Sequence, residues 1–190
     1  MLKSQLIGII LMLLITAAYA TINKSVTTTI TKIEKKYTWA DSVNIQDYEN
    51  YIKEHTQYAI SQESKYRIPA SITLAQGLLE SSSGQSKLAV LANNHFGIKC
   101  FSKSCQKGHC INYSDDSHKD FFRVYKNSYE SFEHHSKFLH KNRYKHLLML
   151  DVSDYKSWSH GLKKAGYATD SQYAYKLISI IEKFKLHEIK

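Results

Sequence analysis

From Ile68 to Gln85 the chain carries a single carboxylate, Glu80, in an otherwise uncharged run, and the same run holds its only proline, Pro69. A stretch so poor in charge belongs in a core, and the rest of the chain has to be arranged around it. Its first half predicts a helix. Pro69 suits a first helical position, where its missing N–H has no intrahelical partner to lose. Ile72, Ala75 and Leu79 recur at helical spacing, and Leu74 and Leu78 widen the stripe. Gln76 and Glu80 fall one turn apart on one face. Ser81, Ser82, Ser83 and Gly84 then break the pattern. Glu80 is thus predicted at the last turn of an apolar helix, where the chain opens into a loop. The negative end of the helix dipole and the loss of water both raise a carboxyl pKa there. Such a group suits general acid catalysis. The alternative is a buried glutamate satisfied by a structural partner.

The 190 residues fit a leader plus one domain of about 150 residues. The formal charge of +9 points to an anionic partner: nucleic acid, a membrane face or an acidic wall polymer. No RRM, zinc-finger or basic-zipper pattern is present, so nucleic acid is not an expected partner. Fourteen tyrosines, with seven Phe and two Trp, suit stacking on sugars as well as core packing.

Residues 1–20 read as a secretory leader: Lys3, an apolar run from Leu6 to Ile15, then Thr16-Ala17-Ala18-Tyr19-Ala20 with cleavage after Ala20. An uncleaved anchor is the alternative, but the run is short for a span of about 20 residues. Later segments offer no membrane span. The expected location is secreted, periplasmic or cell envelope, and a monomer is expected. Residues 21–44 form a polar linker or arm, and 45–190 the folded domain. Cys100, Cys105 and Cys110 cluster together, and export favours one disulfide with one thiol left over. A zinc site using them and His109 lacks the paired CxxC spacing of known ribbons. No cofactor is expected.

A helix is predicted from Ile45 to about Lys65, with Tyr48, Tyr51, Ile52, His55, Ala59 and Ile60 on one stripe and Asn44 or Asp47 as cap. Lys87 to Ala92 makes a short helical turn, and Asn93, Asn94 and Gly97 mark tight backbone. From Gly97 to Tyr125, turn residues interrupt short apolar runs, which predicts a small irregular β-hairpin. Asn127 and Glu130 form a capping-box pair before a helix presenting Phe132, His135 and Leu139. Ser153 can cap a helix from Asp154 to Ala165 that ends at Gly166. Thr169 or Asp170 can cap the last helix, whose core stripe is Tyr173, Leu177, Ile180, Ile181 and Phe184. The class is α+β, mainly helical with one small β-lobe.

Chemistry is sought first among the acids. A glycosidase uses a second carboxylate across its cleft, and Asp115 and Asp116, in the predicted hairpin, are the candidates. A plain Asp-Asp-Ser turn is the other reading. The ten histidines show no HExxH motif, and His135 lies on an apolar stripe as a core residue. Tyr167, at a helix junction, is either a staple or a cleft tyrosine that orients sugar or water. Asn93, Asn94 and Phe96 offer amides and an aromatic face, or serve the loop.

Three ordered blocks resemble one family. The run IPASITLAQGLLESSSGQSKLAVLANNHFGIKC looks like the signature of the glucosaminidase family of peptidoglycan hydrolases. FFRVYKNSYESFEHHSKFL resembles its next block and AGYATDSQYAYKLISIIEKF its closing block, so the likeness runs from about Ile45 to Leu186. It implies a lysozyme-like fold with a cleft between an α-lobe and a small β-lobe. It also implies endo-acting cleavage of the β-1,4 bond between N-acetylglucosamine and N-acetylmuramic acid in peptidoglycan glycan strands. Glu80 matches the family's catalytic acid and Tyr167 its active-site tyrosine, with Gln76, Asn94, Phe96 and Asp170 as candidate substrate contacts. One departure stands out. Many members carry a second Glu in a Thr-x-Glu-Tyr setting, where this chain reads INYSDDSHKDFFRVY. Either Asp115 or Asp116 takes that place, or the substrate's acetamido group or a tyrosine-bound water completes the reaction. Phe121 stands where some relatives have a cysteine to pair with Cys100, leaving Cys105 or Cys110 as its partner. A non-catalytic peptidoglycan-binding module of the same fold is the rival reading.

Overall fold

The computed structural model describes residues 16–27, 44–100, 108–112 and 121–190. The chain divides into two compact units, Met1–Ser42 and Val43–Lys190. In the first, residues 16–27 form an exposed helix, α1. The expected leader's residues 1–15 lie outside the described part. Residues 21–27, which carry no clear pattern in the sequence, continue α1. No described helix is long and apolar enough to cross a membrane.

The second unit is built around two consecutive helices. α2 spans Ile45–Tyr66, and of the two expected caps Asn44 serves, its Oδ1 accepting from the Gln46 N–H at 3.1 Å. Arg67, in the left-handed region, ends it. α3 spans Ala70–Ser81, and ten of its twelve residues are buried, so it is a central helix covered all round. Pro69 is its N-cap, one position earlier than expected. Proline has no side-chain acceptor to offer the first donors of the helix. The Glu63 carboxylate meets one of them, accepting from the Ala70 N–H at 2.7 Å. Gly77 lets α2 approach α3 closely: a Cβ there would meet the Tyr51 hydroxyl at 2.5 Å.

α4 (Lys87–Ala92) is capped by Ser86 and leads to the hairpin. β1 (Cys110–Asn112) and β2 (Phe121–Arg123) pair antiparallel with Ile111 opposite Phe122, and Lys99 bridges to Phe122. Cys100 is disulfide-bonded to Cys110, which resolves the open pairing and occupies two of the four ligands of the zinc alternative. Cys105, Asp115 and Asp116 lie outside the described residues.

α5 (Ser128–Leu139) starts where the capping pair predicts. The Asn127 side chain accepts from the Glu130 N–H at 3.0 Å, while Glu130 accepts from the Lys126 N–H rather than from the cap itself. Phe132, His135 and Leu139 are fully buried. A 3-10 turn (Lys145–Met149) leads to α6 (Tyr155–Lys164). Its cap is Asp154, which accepts from the Ser157 N–H at 3.0 Å; Ser153 is instead drawn to the Asp151 carboxylate at 2.6 Å. A carboxylate is the stronger acceptor at a helix N-terminus. α7 (Tyr173–Lys183) also departs from expectation, because neither Thr169 nor Asp170 is its cap. Asp170 closes the preceding turn by accepting from the Gln172 N–H at 2.8 Å, so the helix begins later. α7 packs on α3 and α6, and a final 3-10 turn (Leu186–Glu188) folds back on α3. The result is a helical body with one small hairpin, as the α+β reading expects.

Candidate active site

A cleft of about 640 Å³ opens between the hairpin side and the helical body. Gly97, Ile98, Lys99 and Arg123 form one wall, and Glu80, Phe138, Tyr144 and Tyr167 lie on the other. Glu80 reaches it because α3 ends just beyond it. Ser82, Ser83 and Gly84 follow in left-handed conformation and turn the chain away. The Ser81 hydroxyl pins this turn, donating to the Gly77 carbonyl at 2.6 Å and accepting from the Gly84 N–H at 2.7 Å.

Glu80 is half-buried, and burial raises its pKa above the usual carboxyl range. A hydrogen bond from Tyr173 partly offsets this. The Tyr173 hydroxyl donates to Glu80 Oε1 at 3.0 Å and accepts from Gln76 Nε2 at 2.9 Å. Gln76, Tyr173 and Glu80 therefore form one relay that fixes the carboxyl and leaves its second oxygen for a proton. Gln76 is fully buried and lies behind Glu80 rather than on the cleft surface.

Tyr167 lies on the cleft beside Glu80, stacked on Tyr173 at 5.6 Å between ring centres. Burial, then the nearby Glu80 charge, pushes its pKa well up, so it stays a neutral hydroxyl. The turn that presents it needs Gly166, whose φ is +73°. The Arg143 guanidinium packs against that glycine and donates through Nε to the Ala165 carbonyl.

Phe96 lines the cleft and stacks on His135 at 4.0 Å. Asn94 is buried and shapes the wall: its amide donates to the Ile98 and Arg123 carbonyls and its Oδ1 accepts from the Ile98 N–H, each at 3.0 Å. Asp170 is not among the cleft-lining residues and pairs with Lys176 at 2.7 Å. The structure thus brings Glu80, Tyr167 and Phe96 to one cleft, with Gln76 and Asn94 supporting it from behind.

Tyr173 escaped sequence reasoning, which placed it in a core stripe. A signal existed: a buried tyrosine hydroxyl needs a partner, and so does a lone buried glutamate. Tyr173→Phe is expected to lower kcat roughly tenfold by loosening the carboxyl. It should also move the alkaline limb of the pH profile up, because the lost hydrogen bond favours the ionised form. A pH–rate profile with an unmoved alkaline limb would show that Tyr173 does not act on Glu80.

The family described as glucosaminidase, mannosyl-glycoprotein endo-beta-N-acetylglucosaminidase, matches residues 56–186, most of the chain. The chain belongs to the glucosaminidase family of peptidoglycan hydrolases. It is 32% identical over 160 residues to the exo-glucosaminidase LytG of Bacillus subtilis, covering 78% of this chain and 55% of LytG. It is 28% identical over 147 residues to the peptidoglycan hydrolase FlgJ of Vibrio parahaemolyticus, covering 72% of this chain and 47% of FlgJ. The chain thus spans about half the length of these relatives. Among solved structures, the catalytic domain of the autolysin Auto from Listeria monocytogenes superposes with a TM-score of 0.66 at 26% identity, over 84% of this chain and 97% of that one. The glycoside hydrolase domain of Salmonella typhimurium FlgJ gives 0.60 at 28%, over 73% and 88%. The lysozyme-like fold expected from the sequence is therefore shown.

Proposed function

We propose that this glucosaminidase-family chain hydrolyses the β-1,4 bond between N-acetylglucosamine and N-acetylmuramic acid in peptidoglycan, with Glu80 as general acid. The observation that carries the reading is Glu80 itself: a half-buried carboxyl at the cleft, pushed toward its protonated form and oriented by Tyr173. A protonated carboxyl gives its proton to the glycosidic oxygen as the bond breaks, and water supplies the new hydroxyl. Tyr167, neutral and beside Glu80, orients that water or the sugar. Asp115 or Asp116 supplies the second carboxylate, steadying the developing positive charge or activating the water. The substrate places the protein in the cell envelope or outside it, after removal of the leader near Ala20.

The test is product analysis. Purified peptidoglycan is digested, the new ends are reduced with borohydride, and the fragments are identified by mass spectrometry. Reduced N-acetylglucosamine at the new termini is expected. Reduced N-acetylmuramic acid would overturn the bond assignment. Binding to the wall without any new reducing ends would overturn hydrolysis and favour the binding-module reading.

A further inference from the structure

The cleft is charged in a way that a neutral sugar backbone does not require. Among the described residues lining it, Lys99, Arg123, Lys141 and Arg143 are cationic, and Glu80 is the only carboxylate. They converge from separate elements: Arg123 from β2, Lys141 from just after α5, and Arg143 from the segment facing Gly166. Elsewhere Lys137, Lys156 and Lys176 are each paired with a carboxylate at 3.0 Å or less. Among the described residues, Arg123, Lys141 and Arg143 have no such partner. Two of them are oriented by rings rather than by acids. Lys141 Nζ lies 4.7 Å from the centre of Phe138, and the Arg143 guanidinium lies 5.8 Å from that of Tyr144.

The positive field reaches the cleft wall. His134, which lines it, is driven toward its neutral form first by burial and then by Arg123 and Lys141. Against these four cations the cleft lining sets one carboxylate, Glu80.

We propose that Arg123, Lys141 and Arg143 form an anion-recognition site that binds a carboxylate on the glycan strand, carried by the lactyl ether of muramic acid or by the stem peptide attached there. The inference rests on the proposed substrate and names the feature of it that the cleft reads. Chains of N-acetylglucosamine alone are neutral and gain nothing from three cations. A strand bearing carboxylates gains one charge-assisted contact for each group it places there.

Binding measures this without turnover, so its failure is distinguishable from failure of the hydrolytic reading. The full chain carrying Glu80→Gln is titrated by calorimetry with alternating N-acetylglucosamine–N-acetylmuramic acid oligosaccharides. These are used with free lactyl carboxylates, with the same carboxylates methyl-esterified, and with stem peptides attached. Carboxylate-bearing strands are expected to bind about 5–10-fold more tightly than the ester at low salt. The gap should close at about 1 M NaCl, where the Debye length falls to roughly 3 Å. Arg123→Gln combined with Lys141→Gln should bring the ratio toward one. Both side chains are exposed, so thermal unfolding should confirm an intact fold. Arg143 is kept, because it holds the Ala165 carbonyl beside the Tyr167 turn. Tight binding of free lactyl strands locates the anion on the sugar; tight binding of peptide-bearing strands alone locates it on the peptide. Equal binding of free-lactyl, esterified and peptide-bearing strands at low salt, or a preference that survives both high salt and the double substitution, overturns the proposal.

Discussion

Glu80→Gln is expected to reduce hydrolysis of purified peptidoglycan by about a hundredfold or more while leaving the fold intact. Glutamine keeps an oxygen where Tyr173 donates at 3.0 Å, so the relay through Gln76 can survive the change. What is lost is the transferable proton. The stability effect has the opposite sign. In the folded protein the Glu80 pKa is raised, chiefly by burial, so ionisation favours the unfolded chain as pH rises above the ordinary carboxyl range. The substituted amide carries no such penalty, and the thermal midpoint of the Glu80→Gln protein at neutral pH should match or exceed that of the wild type. The proposed mechanism makes protonated Glu80 the active form, so wild-type activity should persist above the usual glutamate range and fall as pH rises through the raised pKa. Turbidity loss and reducing ends measured across pH check both parts. A folded Glu80→Gln protein that digests the wall at the wild-type rate would remove Glu80 from the mechanism.

Acid is expected to unfold the second unit well before ordinary carboxylate titration is complete. His95 and His135 are 5% and 0% exposed, and burial lowers their pKa to about 4 and about 3. His55, stacked between Tyr51 and Phe132, is lowered by burial too. Unfolded histidine titrates near 6.5. Between that value and the folded pKa the unfolded chain binds more protons, so stability is full above about pH 6.5 and is lost as pH falls through about 4. His95 alone withdraws on the order of 3 kcal/mol over that window. That is a large share of the roughly 5–15 kcal/mol typical of a domain. His135 gives the cleanest variant, because among the described residues neither of its ring nitrogens has a hydrogen-bond partner to strand. His135→Phe, which keeps an aromatic ring against Phe96, should reduce the pH slope of stability by up to about 1.4 kcal/mol per unit. His135→Leu is the companion if the larger ring overpacks. Urea unfolding from about pH 7 to about pH 4 reads the slope directly, and a slope unchanged in both variants would sink the explanation.

Much of the helical framework was legible before any coordinate. The charge-poor run around Glu80 becomes the central helix, and Asn44 and Asn127 cap the helices they precede. These features are local: a missing charge forces burial, and a short polar side chain meets an orphan N–H within a few residues. The errors are local competitions. Asp154 displaced Ser153 at a helix start, and Asp170 closed a turn instead of capping α7.

The site divides along the same line. Residue type and spacing alone marked Glu80 as a misplaced acid and set Gln76 on its face, because one turn of helix relates them. Tyr173 lies 93 residues beyond Glu80, and only the packing of α7 on α3 brings its hydroxyl to that carboxyl. Nor could spacing reveal that Arg123, Lys141 and Arg143 share one cleft, since in the sequence they are scattered among many other lysines and arginines. The sequence by itself determined that one acid would be buried at a helix end. Tertiary structure decided which groups surround that acid, because burial, hydrogen bonding and electric field depend on distances that helix period does not encode.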